Sequence, residues 1–205
     1  DMTQIEIARR GEVSPEVKRV ALKEGCDPEV IRKGVAQGTI VITKNCVRPR
    51  NIDPLGIGVP LRIKVNANIG SSGDRASLEE ELQKLKTAVE AGADTVMDLS
   101  TGGDVDSIRR AIISDSPIPV GTVPVYQAAL DSRKKKKSLV ELSISEIFEA
   151  IEKHLQEGVD FITVHCGLTK SGLERLRTQG REMDIVSRGG TLMMEWMDFT
   201  GRENP

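Results

Sequence analysis

Polar residues that could contact a small ligand recur at the ends of apolar segments along this chain. Each segment is a short run of β-branched and aliphatic residues, the composition of a buried strand. The candidate residues that follow or end these runs are Asn66, Asn68, Met97, Asp98, Ser100, Tyr126, Gln127, His165, Ser187, Arg188, Gly189 and Gly190. Together they offer amides, hydroxyls, an imidazole and a guanidinium, which is a set suited to a heterocycle or a sugar.

The segment from Ala93 to Gly103 shows this pattern most clearly. A predicted strand, Thr95-Val96-Met97, passes into a polar, glycine-rich loop and then into a helix that starts near Asp104. Because the first turn of a helix exposes backbone N–H groups, such a loop can bind an anion. Many loops of this kind bind nothing, so the weight of the pattern comes from its repetition along the chain.

A second anion-binding candidate is Ser187-Arg188-Gly189-Gly190, which follows a predicted strand over 183–186. It combines a hydroxyl, a guanidinium and accessible backbone amides, a chemistry suited to phosphate. His165, at the end of another predicted strand, could donate a proton, accept one or bind a ligand.

Each candidate also has a purely structural alternative. The asparagines could cap turns, Met97 could fill the core, and Tyr126 could bury its ring with a structural hydroxyl contact. His165 could be a hydrogen-bonded core histidine, and Asp98 could serve only to hold its own loop together. We interpret Cys166 as a small buried hydrophobe rather than a nucleophile, because no Asn or Asp partner is identifiable.

The elements that position these residues alternate between strand and helix from Leu61 onward. The predicted strands cover 61–65, 95–97, 118–123, 160–164 and 183–186, and the predicted helices begin near 77, 105, 143 and 171. Such alternation implies a parallel sheet with right-handed crossovers. A doubly wound sheet gathers its ligands at one switch point, whereas polar residues at every strand end favour a barrel. We therefore expect an α/β fold, with 61–205 forming the first part, five βα units, of a (β/α)8 TIM-type barrel.

Residues 1–60 are predicted to be an N-terminal helical lead-in and connector rather than a separate domain. The predicted elements are helices over 3–10, after Ser14 and after Asp27, a strand over 39–42, and an irregular connector over 44–60. Further along, Ser77 with Glu80 and Ser143 with Glu146 have the spacing of capping boxes. Residues 131–138 form a charged connector that we interpret as solvated surface.

Composition excludes several classes of function. The formal net charge of the 205 residues is −2, which gives no electrostatic case for nucleic acid or an anionic membrane. No apolar run approaches the roughly 18 residues that a membrane span needs. The three cysteines, Cys26, Cys46 and Cys166, form neither a C-x-x-C motif nor a disulfide framework, so we expect a cytoplasmic protein.

Four longer sequence segments favour the functional interpretation of these residues over the structural one. The segments 64–70, 93–102, 119–127 and 185–190 closely resemble the phosphomethylpyrimidine synthase family, the thiamine pyrimidine synthases, and the regions near Met2 and Ser14 look like the same family. The resemblance covers nearly the whole chain. It implies a (β/α)8 barrel and a lyase of the radical S-adenosylmethionine type, which rearranges aminoimidazole ribonucleotide into hydroxymethylpyrimidine phosphate in thiamine biosynthesis.

The resemblance also implies roles for individual residues. Carried over by position, the substrate would be contacted by Asn68, Met97, Tyr126 and His165, and its phosphate would be held by Ser187, Arg188 and Gly189. No catalytic residue and no metal ligand of this chain is assigned.

The cofactors implied by the family are a 4Fe–4S cluster, S-adenosylmethionine and a divalent metal such as zinc, in a homodimer when full length. The family's cluster cysteines and metal-binding histidines lie in a C-terminal part that this sequence does not include. We therefore expect these residues to be the substrate-binding, N-terminal part of a longer polypeptide, inactive alone. The segment 43–49 departs from the family's usual string. Two alternatives stay open: a hydroxybenzimidazole synthase that uses the same substrate for cobamide lower-ligand biosynthesis, and a non-catalytic ribonucleotide-binding fragment.

Overall fold

The computed structural model describes residues 2–205 as a mixed α/β fold. Its helices are α1 (Gln4–Arg9), α2 (Pro15–Glu24), α3 (Pro28–Gln37), α4 (Leu78–Glu90), α5 (Val105–Asp115), α6 (Pro124–Lys134), α7 (Ile144–Gln156), α8 (Lys170–Gln179) and α9 (Arg188–Thr200), with a 3-10 turn at Leu139–Glu141. Its strands are β1 (Ile40–Thr43), β2 (Leu55–Gly58), β3 (Asn66–Ile69), β4 (Thr95–Asp98), β5 (Val120–Thr122) and β6 (Phe161–Ile162).

A parallel sheet of four strands, in the order β3-β4-β5-β6, forms the centre of the fold. One face packs its apolar side chains, among them Val96 and Val120, against Ile108 and Ile112 of α5 and Leu85 of α4. The predicted alternation of strands and helices and the parallel sheet are therefore confirmed. Within residues 2–205 the four strands form an open sheet, and they do not close into a barrel.

Helix starts follow the capping chemistry of the sequence. The hydroxyl of Ser143 accepts the N–H of Glu146, and the Glu146 carboxylate accepts the N–H of Ser143, so this capping box is confirmed. The predicted box at Ser77 is only half formed. Ser77 accepts the N–H of Glu80 at 3.4 Å, but the Glu80 carboxylate pairs with Arg75 instead.

Two predicted strands are wrong. Residues 61–65 are irregular, and the strand begins later, at Asn66. At Val65 the Asp94 carboxylate accepts the backbone N–H at 2.8 Å, so that N–H is not available to a neighbouring strand. Residues 183–186 are a loop in which Asp184 has a φ of 21°, a value that interrupts an extended strand. Met183 and Val186 are each 68% exposed there, with no neighbouring strand in the described chain to cover them.

Three further segments differ from their predicted states. The connector over 44–60 contains β2, which pairs antiparallel with β1. The charged connector over 131–138 begins inside α6, because Pro124 at the first helical position starts that helix directly after β5. No helix was predicted after Gly190, yet α9 fills that segment.

The N-terminal segment is fixed to the sheet by a buried ion pair between Arg48 and Asp160. Their side chains are 1% and 0% exposed. One Arg48 nitrogen also donates to three carbonyl oxygens near the end of α5, at 3.0, 2.8 and 3.3 Å, those of Ile113, Ser116 and Ile118. The Asp160 carboxylate accepts the backbone N–H groups of Asn45 at 2.9 Å and Val120 at 2.8 Å. This pair therefore joins the connector to α5, β5 and the start of β6.

None of the helices within residues 2–205 combines the length and the apolar character needed to cross a membrane.

We expect Arg48→Met to lower the free energy of unfolding by about 3–5 kcal/mol, because it leaves the Asp160 carboxylate buried without its charged partner. Arg19→Met is the matched control, since Arg19 pairs with Asp53 at the surface with side-chain exposures of 51% and 39%, and its loss should cost about 1 kcal/mol or less. Urea denaturation of both variants measures the difference. Equal losses for the two variants would contradict the assigned role of the buried pair.

Candidate functional site

The parallel register places two of the predicted residues side by side on the sheet. Asn68 of β3 lies opposite Met97 of β4, and Met97 lies opposite Gly121 of β5. Asn68 is exposed and its Oδ1 accepts from Nδ2 of Asn66 at 2.8 Å. The Asn66 Oδ1 in turn accepts from the Thr95 hydroxyl at 2.8 Å. Both asparagines therefore lie within the strand, so the interpretation of them as turn caps is wrong.

Met97 is half-buried and contacts the next part of the site through its sulfur. The Thr163 hydroxyl lies 3.8 Å from Met97 Sδ, within donating distance of the thioether. Thr163 follows β6 directly and precedes His165 by two residues. Sequence reasoning did not single it out, because a threonine in a β-branched strand reads as ordinary strand composition.

His165, Ser187 and Gly189 form a second group. His165 Nε2 lies 2.9 Å from Ser187 Oγ. A Cβ atom added to Gly189 would overlap the His165 ring, so only glycine fits at that position while the ring stays in place. His165 Nδ1 is buried and has no hydrogen-bond partner in the described chain, and burial lowers the pKa of this histidine. The imidazole is therefore neutral at neutral pH.

Ser187 and the residues after it form the start of α9 rather than a turn after a strand. Ser187 is the N-cap, and its hydroxyl accepts the Gly190 N–H at 3.2 Å. The N–H groups of Arg188 and Gly189 belong to the first turn, where no intrahelical acceptor is available. In the structure, the backbone N–H groups of the predicted anion site therefore belong to a helix N-terminus.

Tyr126 and Arg188 form a third group beside a cavity of about 410 Å³. The Arg188 guanidinium carbon lies 5.9 Å from the centre of the Tyr126 ring, and its NH1 donates to the Thr101 hydroxyl at 3.2 Å. The cavity is lined by Gly73, Thr101, Tyr126, Ala129, Leu130, Arg133, Arg188 and Leu192. Its volume is within the range of small-ligand sites.

The structure thus brings the seven predicted residues together as three contact groups at one edge of the sheet. Arg188 joins the last two groups, because it neighbours Ser187 and Gly189 in the first turn of α9. Of the seven, Tyr126 and Arg188 line the 410 Å³ cavity, and the other five lie outside its walls. A cavity of about 70 Å³ contacts His165 on another side.

A larger cavity, about 880 Å³, lies against α4 and contains none of the predicted residues. Its walls include Leu78, Leu82, Leu85 and Val89 of that helix. We place the candidate site at the sheet edge instead, because side chains able to bind a polar ligand converge there and the walls of the larger cavity are mainly apolar stems.

Asp98 holds its own loop, as the structural alternative predicted. The carboxylate is buried, and its Oδ1 accepts both the N–H and the hydroxyl of Ser100, at 2.9 and 2.5 Å. Ser100 Oγ then accepts the Ser71 N–H at 3.1 Å. Burial raises the pKa of Asp98, and the bonds from Ser100 oppose that effect.

A buried polar cluster beneath the site includes Arg109 and Thr122, which sequence reasoning did not single out. Arg109 is 2% exposed and donates to Gln127 Oε1 at 2.8 Å, so Gln127 faces α5 and not a ligand. His154 is 3% exposed, and its Nδ1 lies 2.8 Å from the Thr122 hydroxyl. Burial, and next the positive charge of Arg109, lower the pKa of His154 to about 3. Its helical spacing from Ile147 and Ala150 places it beside the apolar face of α7, as the sequence predicts.

Cysteines and metal ligands do not gather in the described chain. Cys46 and Cys166 are exposed and Cys26 is half-buried, so the interpretation of Cys166 as a buried hydrophobe is wrong. Residues 2–205 contain no group of three or more His, Cys, Asp or Glu side chains able to hold a metal ion. These residues therefore do not fit an iron–sulfur cluster or a zinc ion.

Comparisons with known proteins agree with the strings noted in the sequence. A model of the Radical SAM ThiC family matches residues 3–205. The phosphomethylpyrimidine synthase of Desulforamulus reducens is 54% identical over 204 residues, covering 100% of this chain and 47% of the relative. The corresponding synthase of Geobacter metallireducens is 53% identical over 204 residues, with 99% and 47% covered. That of Thermococcus gammatolerans is 48% identical over 204 residues, with 100% and 48% covered. The chain spans about half the length of the curated relatives it matches.

Gly189→Ala should force the His165 ring away from Ser187 and lower the free energy of unfolding by about 1–3 kcal/mol, the usual cost of overpacking. The effect outweighs the gain of about 0.5–1 kcal/mol that alanine normally gives inside a helix. Gly167→Ala is the control, because a Cβ there meets nothing within 4 Å. NMR of the His165 ring together with chemical denaturation measures both effects. An unshifted His165 resonance in Gly189→Ala would show that the tight contact is absent.

Stability should fall as the pH drops from about 7 to about 5, and His154 should account for about 2 kcal/mol of the loss. In the unfolded chain this histidine gains a proton below its ordinary pKa of 6.5, whereas in the folded protein it stays neutral until about pH 3. Protonation therefore favours the unfolded state across that window. His154→Phe, which cannot titrate, should flatten the pH profile by this amount when both proteins are unfolded in urea. A profile with unchanged slope would contradict the buried, neutral state of His154.

Proposed function

The chain belongs to the Radical SAM ThiC family, and on that premise we propose that it supplies the substrate-binding half of a phosphomethylpyrimidine synthase in thiamine biosynthesis. The proposed substrate is aminoimidazole ribonucleotide, and the proposed product is hydroxymethylpyrimidine phosphate. The observation that carries the proposal is the convergence of the three contact groups at one sheet edge beside the start of α9. The open sheet is proposed to be the first part of a (β/α)8 barrel, supported by its parallel order β3-β4-β5-β6.

The phosphate end is proposed to bind at the first turn of α9. The Ser187 oxygen has two lone pairs and one hydrogen. It already accepts the Gly190 N–H, and it accepts a second bond if His165 carries its proton on Nε2. The Ser187 hydrogen is then available for a phosphate oxygen, together with the N–H groups of Arg188 and Gly189 and the Arg188 guanidinium.

The same tautomer gives His165 a role toward the rest of the nucleotide. With the proton on Nε2, the Nδ1 atom is an acceptor, and it is the atom that is buried without a partner in the described chain. A ribose hydroxyl or an amino group of the heterocycle is proposed to donate to this atom once the residues that cover it move on binding. The low pKa of His165 keeps this acceptor unprotonated at neutral pH.

The heterocycle is proposed to contact Asn68, Met97 and Tyr126. The Asn68 Oδ1 is engaged by Asn66, so its Nδ2 is the group that can donate to a ring nitrogen. Met97 supplies an adaptable apolar surface and Tyr126 an aromatic ring. These residues bind and orient the substrate. We derive no step through a cluster or a metal, because the described residues do not fit either group.

The alternative, a hydroxybenzimidazole synthase that acts on the same ribonucleotide, would use the same binding residues and differ in the product. The named relatives are phosphomethylpyrimidine synthases at 54% and 53% identity, which supports the first proposal. Mass analysis of the product formed by the full-length, cluster-reconstituted protein separates the two. We further propose that the protein works in the cytoplasm, because its cysteines are free in this structure.

Replacing Ser187 and Arg188 together with alanine should weaken binding of aminoimidazole ribonucleotide by about 10- to 150-fold. Loss of a charge-assisted hydrogen bond costs about 1.5–3 kcal/mol, and each 1.4 kcal/mol corresponds to about tenfold in affinity. Isothermal titration calorimetry measures the change. Arg175→Ala in α8 is the matched control, because it removes an exposed arginine that belongs to none of the three contact groups. Parent-like affinity in the double variant would show that the phosphate binds elsewhere.

A further inference from the structure

The buried cluster beneath the site contains an imidazole nitrogen that lacks a partner. His154 is 3% exposed, and its Nε2 has no hydrogen-bond partner in the described chain. Its other nitrogen is satisfied by the Thr122 hydroxyl at 2.8 Å. A buried polar atom without a partner costs about 1–3 kcal/mol, so such atoms are generally paired with protein or with ordered water.

His154 lines a small cavity together with other polar groups. The centre of a water-sized sphere can occupy about 10 Å³ of this cavity. That is close to the smallest space that holds one water. The polar residues in its wall are Asp98, Ser100, Arg109, Thr122, Gln127 and His154, and Tyr126 also borders it. Cavities that stay empty are apolar, whereas this wall offers donors and acceptors on several sides.

We propose that this cavity binds one ordered water molecule, which accepts a hydrogen bond from His154 Nε2 and donates one to the Asp98 carboxylate. The Thr122 hydroxyl and His154 Nδ1 lie 2.8 Å apart, and the ring tautomer decides which of them donates. The proposal includes the tautomer with the proton on Nε2, in which the Thr122 hydroxyl donates to Nδ1 and the Nε2–H group donates to the water oxygen. The carboxylate accepts from the water, in addition to the two bonds that its Oδ1 accepts from Ser100.

Neither a metal ion nor an anion fits the same space. The Arg109 guanidinium borders the cavity and repels a cation. The Asp98 carboxylate repels an anion, and the volume is far too small for phosphate. Water is the one small ligand that can accept from an imidazole N–H and donate to a carboxylate at the same place.

The water would connect α7 to the loop beside the candidate site. Asp98 holds Ser100, which accepts the Ser71 N–H at 3.1 Å. The Ser71 carbonyl in turn accepts the N–H of Thr101 at 2.9 Å, and the Thr101 hydroxyl accepts from Arg188. The water site itself rests on the geometry of the cavity and is independent of the proposed substrate.

A high-resolution crystal structure of the protein tests the proposal, with water as the ligand. We expect one density peak at about 2.7–3.2 Å from both His154 Nε2 and an Asp98 oxygen. The same peak should remain in Thr122→Val, which removes the Nδ1 partner but keeps the ring and the cavity. In solution, the His154 ring protons should show a nuclear Overhauser effect to a long-lived water.

An empty cavity, a peak that contacts Asp98 but not Nε2, or anomalous scattering from a bound cation would overturn the proposal. Absence of the nuclear Overhauser effect between the His154 ring and water in the parent protein would overturn it as well. Because none of these measurements involves a nucleotide, their failure would leave the proposed function to its own calorimetric test.

Discussion

Parallel hydrogen bonding among β3, β4, β5 and β6 is the constraint on which the rest of this structure depends. It turns the carboxyl ends of four strands toward one edge, so that loops distant in sequence meet there. The register then sets which residues are neighbours, and it places Asn68 beside Met97 on one face. On the other face Val96 and Val120 pack against α5. Successive side chains of a strand point to opposite faces of the sheet, so the residues that pack the core and the residues that can contact a ligand lie on different faces.

Buried charges set the positions that apolar packing leaves undetermined. Hydrophobic contact is non-directional, whereas the Arg48–Asp160 pair with its carbonyl and N–H partners fits only one placement of the connector against α5 and β5. Arg109 does the same between α5 and the start of α6, and so holds the turn that carries Tyr126. Such pairs add little net stability compared with apolar residues of the same size. Their value here lies in fixing the geometry of the site.

Much of this arrangement could be predicted from the sequence, because its signals are local. Caps such as Ser14 and Ser143, and the alternation of strands and helices, follow from residue types a few positions apart. The failures involve partners distant in sequence. Whether 183–186 forms a strand depends on a neighbour to pair with, and the start of β3 depends on Asp94. Helix α9 was not predicted because the glycines in its first turn have low helix propensity, although Met193, Trp196 and Met197 have helical spacing. The polar cluster around His154 joins three helices and a strand. Its members are distant in sequence, so local patterns do not predict that they are neighbours.

The central claim, that the sheet edge and the first turn of α9 bind a ribonucleotide, is tested most directly by a crystal structure of the protein with aminoimidazole ribonucleotide. We expect phosphate oxygens within about 2.7–3.2 Å of the Gly189 N–H nitrogen and the Ser187 hydroxyl oxygen. We also expect the heterocycle to contact Asn68 and Met97. A nucleotide bound in the cavity against α4, with the start of α9 unchanged, would contradict it.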